Sequence, residues 1–206
     1  MMGTQGKCLL SGALAVALLA GCATTDLRLP SRDTQYLGAE QSPAARRDSG
    51  LPPWDNVSYW DGEGLNGLAH VKIDLGAQRA SFYKGGKLAG VSTVSTGREG
   101  YNTPPGTFRI TEKDPDHRSS LYGNHVDTNG NVVMKDVDVT EDPAPPGTRF
   151  LGAPMPNFMR FHGGIGMHAG YLPGYAASHG CVRLPPKMAR HFFDNVSIGT
   201  PVTVVN

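Results

Sequence analysis

Turn-forming residues set the first limit on this fold. The 206-residue chain holds 27 glycines and 16 prolines. Both interrupt helices and bound strands, so short strands joined by tight turns are expected over most of the length. Leu68–Leu75 alternates His70, Lys72 and Asp74 with Val71, Ile73 and Leu75, the period of a strand with one buried face. Ala80–Lys84 and Lys87–Ser95 flank Gly85-Gly86 and predict a hairpin. Thr107–Ile110 is a further short strand, and Phe158–Ala169 is expected to carry His168 on a strand. Asp114–Gly130 is polar and predicts a loop, with a tight turn at Asn129-Gly130. Asp136–Gly147 is acidic and proline-rich and predicts no regular element. Pro185-Pro186 can open a helix, which Lys187–Val196 continues with Met188 and Phe192 on one face. Val202–Val205 is a terminal strand. The expectation is a mainly β domain with one clear helix.

The N-terminus has a different character. Lys7 precedes Cys8–Ala20, a run of apolar and small residues broken only by Ser11 and Gly12. This is the pattern of a secretory signal, too short to span a bilayer comfortably. It ends in Leu19-Ala20-Gly21-Cys22, which resembles a bacterial lipobox. The resemblance implies cleavage before Cys22 and diacylation of its thiol, which would hold the protein on a membrane face. Residues 24–53 are rich in Ser, Pro, Ala, Gly, Arg and Asp without apolar periodicity, and read as a tether. The expected organisation is a signal at 1–21, a tether at 22–53 and one domain at 54–206. Ala23 lacks the aspartate that, by resemblance to enteric lipoproteins, retains a protein in the inner membrane. The expected location is therefore periplasmic, on the inner face of the outer membrane.

Formal net charge is +1 and no block of Lys or Arg stands out, which argues against a nucleic-acid partner. The three cysteines are Cys8, Cys22 and Cys181. If, as the resemblance implies, Cys8 departs with the signal and Cys22 is capped by lipid, Cys181 is left as a free thiol in an oxidising compartment. Its neighbours Ser178-His179-Gly180 and Val182-Arg183 are not those of an inert core cysteine. A thiol attacks a carbonyl as thiolate, and a nearby imidazole can take its proton. Gly180 lets the backbone bend so that amide N–H groups face a developing oxyanion. Arg183 can grip a carboxylate. His162, in Phe161-His162-Gly163-Gly164, reads as structural. The spacing of His162, His168, His179 and Cys181 is unlike that of zinc ligand pairs, so no metal is expected.

Met167-His168-Ala169-Gly170 followed by Ser178-His179-Gly180-Cys181-Val182-Arg183-Leu184 resembles the signature of the L,D-transpeptidase (YkuD-type) family. Val94-Ser95-Thr96-Gly97 with Thr103-Pro104-Pro105-Gly106-Thr107-Phe108, and the closing Gly199-Thr200-Pro201-Val202, extend the resemblance across 68–206. It implies a YkuD-like β-sandwich with a few short helices, acting on peptidoglycan peptide stems through a thioester acyl-enzyme and needing no cofactor. Carried over, Cys181 is the nucleophile and His168 the general base, its other ring nitrogen oriented by a backbone carbonyl. His179 and Gly180 shape the oxyanion and substrate side with Ser178 in support, and Arg183 organises the cleft. The product is a crosslink or an exchanged terminal D-residue. A hydrolase on the same site and a non-catalytic wall-binding lipoprotein are the alternatives. Two departures from the family stand out. Only ten positions separate His168 from Ser178, which predicts a short roof over the cleft. The segment 114–160 is a long insertion, containing Tyr122 and His125, that can form a cleft wall of its own.

Overall fold

The computed structural model describes residues 51–52 and 54–206, which form thirteen strands and one helix. The signal, Cys22 and nearly all of the expected tether lie outside the described residues. Among the described residues no helix is long and apolar enough to cross a membrane.

The first sheet has six strands: β1 (Tyr59–Trp60), β2 (Ala69–Asp74), β3 (Arg79–Lys84), β4 (Lys87–Thr93), β5 (Gly106–Arg109) and β13 (Pro201–Val205). Their order is β1-β4-β3-β2-β13-β5. The alternation in β2 works as expected: Val71 and Ile73 are fully buried, while Leu68, just before the strand on the polar face, is 89% exposed. β13 enters parallel to β2 and sends Val202 and Val204 into the same core. The β3–β4 hairpin turns at Gly85 and Gly86, whose φ values of 54° and 79° need the left-handed freedom of glycine.

The second sheet runs β12-β11-β10-β6, formed by β6 (Glu112–Asp114), β10 (Phe158–His162), β11 (Ile165–Ala169) and β12 (Val182–Leu184). β11 and β12 are parallel and the other pairs antiparallel. One apolar core joins the two sheets. It takes Val71, Phe82 and Val204 from the first, and Met159, Met167 and Leu184 from the second. Helix α1 (Pro186–Asn195) closes it, burying Met188, Ala189 and Phe192. The Phe192 ring lies 5.0 Å from Phe82, edge to face. This is a mainly β sandwich, as the sequence predicts.

The polar middle of the chain departs from expectation. Asp114–Gly130 is not a loop. It contributes the end of β6 and all of β7 (Arg118–Val126), and the acidic stretch begins inside β8 (Val132–Asp138). With β9 (Arg149–Pro154) these strands form a third sheet, ordered β8-β7-β9. The reason lies in the pairing. Its ladders shift register around Gly123 and His125, and Asp136 takes φ 53°. Such irregularities erase the two-residue period by which a strand is recognised. Only Gly123, His125 and Val126 of β7 are buried, so the strand needs little apolar sequence. The turn at Asn129-Gly130 is present, with Gly130 at φ 86°.

Phe192→Ala removes a fully buried ring at the meeting of helix and sheet. It should cost about 3–5 kcal/mol in urea unfolding. Phe193→Ala, at a half-buried ring on the helix flank, should cost clearly less.

Candidate active site

The site begins with strand pairing. β11 and β12 run parallel with Met167 opposite Val182, His168 opposite Arg183 and Ala169 opposite Leu184. Met167, Val182 and Leu184 are fully buried in the core. Alternation therefore turns His168 and Arg183 to the opposite face, and Cys181, one residue before Val182, shares that face. All three line a cleft of about 560 Å³. Tyr122, Arg118 and Pro154 of the third sheet line it as well, so the insertion does form a wall.

The turn Ser178–Cys181 is held from within and from outside. Ser178 Oγ donates to the Cys181 carbonyl and accepts from Gly180 N–H at 3.1 Å. Gly180 has φ 109°, a conformation that excludes other side chains. Thr103 Oγ1 donates to the Gly180 carbonyl at 2.7 Å and accepts from Gly97 N–H at 3.0 Å. Ser95 exchanges two backbone bonds with Arg183, each 3.0 Å. The two segments that carry the sequence resemblance are thus one hydrogen-bonded unit. A Cβ at Gly97 would stand 2.0 Å from the Tyr101 carbonyl, so glycine is required there by close approach.

His168 is buried, with Nδ1 2.8 Å from the carbonyl of Ala169. A carbonyl only accepts, so Nδ1 carries the proton and Nε2 is left as the basic nitrogen. Burial pulls the imidazole pKa down to about 4, opposed by the Ala169 bond and assisted by Arg183. The ring is neutral near pH 7. Cys181 is half-buried, its Sγ 3.9 Å from the Gly164 carbonyl. Burial pushes the thiol pKa up, against a backbone hydrogen bond from Gly166 and the charges of Arg160 and Arg183. Near pH 7 Cys181 is therefore a thiol and His168 a neutral imidazole.

His179 lies between two tyrosines. Tyr122 stacks on it at 4.2 Å and Tyr101 meets it edge-on at 4.7 Å. Burial lowers its pKa, helped by Arg98 and Arg183 and opposed by Asp138 and Asp136. Burial also lowers the Arg183 pKa, and the Arg183 side chain runs against Gly170. Thr103 was visible within the Thr-Pro-Pro-Gly-Thr-Phe motif, but its link to Gly180 was not. The Gly166 amide, Arg98 and the stacking of Tyr122 had no sequence signal. His162 stays apart, exposed at the end of β10 with its ring 4.7 Å from Phe108.

Glu112, Asp114 and His117 bring ligand-type atoms within 4.8 Å of one another. Glu112 is taken by Arg160 at 2.7 Å and Asp114 by His117 at 3.1 Å. The group therefore reads as an ion-pair cluster.

The sequence model of the YkuD family, described as the L,D-transpeptidase catalytic domain, matches residues 69–204. The chain belongs to this family. No curated protein matches its sequence. The fold resembles an L,D-transpeptidase of Stackebrandtia nassauensis, at 23% identity and TM-score 0.50, covering 68% of this chain and 56% of that one. It resembles one of Xylanimonas cellulosilytica, at 23% and 0.50, covering 80% and 70%. A third likeness, to the Ldtfm-avibactam carbamoyl enzyme, has 25% identity and TM-score 0.50, covering 67% and 49%. The chain thus spans about half of the length of some of these proteins.

Two measurements follow from the electrostatics. Between pH about 4 and about 6.5 an unfolded histidine binds a proton that folded His168 refuses, so stability rises with pH across that window. Acidification through it should cost up to about 3 kcal/mol from this one group, and His168→Gln should remove that part of the slope. Alkylation of Cys181 by iodoacetamide should keep accelerating above pH about 8.5, the ordinary thiol value, with no plateau near neutrality.

Proposed function

We propose that this protein is an L,D-transpeptidase that acts on peptidoglycan peptide stems through a thioester on Cys181. The observation that carries the reading is the state of His168. Its Nδ1 proton is committed to Ala169, and its neutral Nε2 belongs to the cleft that Cys181 lines. As Sγ attacks the carbonyl before the terminal D-residue, Nε2 takes the thiol proton. The C–S bond forms and a tetrahedral oxyanion develops. A ring with so low a pKa then surrenders its proton readily to the departing amine as the C–N bond breaks. The amine of a second stem, or a free D-amino acid, attacks the thioester and regenerates the thiol.

The turn has a part for each neighbour. Gly180 N–H is occupied by Ser178 Oγ, so Gly180 contributes its backbone bend and Ser178 its rigidity. Nothing among the described residues accepts from the N–H of Cys181, which leaves that amide for the oxyanion. His179 forms the substrate-side wall, held by Tyr122 and Arg98. Arg183 supplies positive charge beside the sulfur. Ldtfm, whose fold this chain resembles, was solved as an avibactam carbamoyl enzyme, which supports covalent chemistry on this fold.

Water as the acceptor is the second reading, favoured by the short segment between His168 and Ser178, where Tyr171 is 78% exposed. The lipobox-like Leu19-Ala20-Gly21-Cys22 further supports attachment to the periplasmic face of the outer membrane through Cys22, with 22–53 as a tether to the wall.

Incubated with tetrapeptide stems and a D-amino acid, the protein should gain one acyl mass on Cys181 and release stems with an exchanged terminal residue. Cys181→Ala should lose both, and His168→Gln should slow acylation by at least about 100-fold. Retained exchange in Cys181→Ala would refute the nucleophile. Shortened stems alone would make the protein a hydrolase.

A further inference from the structure

The charge of the cleft is one-sided. Arg118, Arg160 and Arg183 line it with three histidines, and no carboxylate lines it among the described residues. Only Arg160 has an acidic partner there, Glu112 at 2.7 Å. Asp136 and Asp138 act on His179 but do not line the cleft. Arg183 belongs to the signature beside Cys181. Arg118 does not. It stands at the start of β7, on the inserted sheet, where no sequence motif marks it.

An exposed arginine is ordinarily a solvated surface charge, and two features set Arg118 apart. Its Nη1 donates to the Gly152 carbonyl of the adjoining β9 at 2.9 Å, which fixes the guanidinium against the wall and leaves other N–H donors for a ligand. It also lines a concave site with a second uncompensated arginine, and like charges in a cleft reinforce one another's field. A guanidinium held in this way matches a carboxylate in both charge and shape.

We propose that Arg118 is a specificity-determining residue that binds a free carboxylate on the acyl-donor peptide, so that the cleft selects acidic donors over the same peptides with that carboxyl amidated. Arg183 and Arg118, on β12 and β7, line the same cleft as Cys181. A peptide with a carboxylate set back from the scissile carbonyl satisfies both charge and position. The inference rests on the transpeptidase reading for the kind of donor, but binding tests it without turnover.

The experiment is calorimetric titration of the Cys181→Ala protein with a tetrapeptide stem whose internal carboxyl is free, and with its amidated counterpart, at low and high salt. The free acid should bind about five- to tenfold more tightly at low salt, and the gap should shrink as salt rises. Arg118→Gln in the same background should bring the two peptides within about twofold, while Arg118→Lys keeps part of the preference. An unchanged thermal midpoint in Arg118→Gln excludes loss of the sheet. Equal affinities before mutation, a preference that survives Arg118→Gln, or no binding of either peptide would each overturn the proposal. Selective binding by a protein whose native Cys181 never acylates would refute the transpeptidase chemistry and leave the role of Arg118 standing.

Discussion

A parallel ladder ends one residue after Cys181, and the site follows from where it ends. Val182 pairs with Met167, and both are buried without remainder. Their neighbours Cys181 and His168 must then face away from the core together. No loop has to find this arrangement. The ladder is in turn secured by the core beneath it, where Met167 and Leu184 join Phe192 of α1 and Val71 of the first sheet. Side chains on or next to such a ladder keep their relative positions at little entropic cost.

The turn that precedes the ladder is where backbone polarity is hardest to satisfy. It is buried at Ser178 and Gly180, and backbone partners on Thr96 and Arg98 satisfy only Ser178. Side-chain hydroxyls serve Gly180 and the Cys181 carbonyl. Ser178 serves the turn from inside and Thr103 from the neighbouring segment, each accepting one N–H and donating to one carbonyl. A hydroxyl is the one small group able to do both. These contacts join short motifs far apart in the chain: Gly97, Thr103 and Gly180 are parts of one bonded cluster.

Much of this was legible. The alternation of β2, the Gly-Gly hairpin, the proline-opened helix and the terminal strand all follow from periodicity and turn chemistry, and the structure forms each of them. Cys181, flanked by His179 and Gly180 in the Ser-His-Gly-Cys run, marks the site in the sequence. The third sheet was not legible, because strands that bury one to three residues and shift register lack an apolar period. Nor was β12, since three residues are too few to count an alternation. The environment of His168 was also out of reach: its low pKa depends on how deeply a fold buries it, which no local pattern encodes.

The inserted sheet is therefore both the least readable part of the chain and the part that individualises the cleft. Its Tyr122 covers one face of His179 while Tyr101 closes on the ring edge, so the imidazole beside the reactive turn has little freedom to rotate. Burial also pushes the Tyr122 hydroxyl pKa up, so the ring stays uncharged over the neutral range. The sheet thus adds a neutral aromatic clamp at one end of the wall and a cation at the other. The sandwich supplies the thiol and imidazole. The shape and charge that a substrate meets beyond them come from a segment held mainly by its own backbone ladders, and such ladders tolerate change in side chains that face solvent. In this architecture the core sets where His168 and Cys181 stand, while Tyr122 and Arg118 reach the same cleft from a sheet that contributes little to that core.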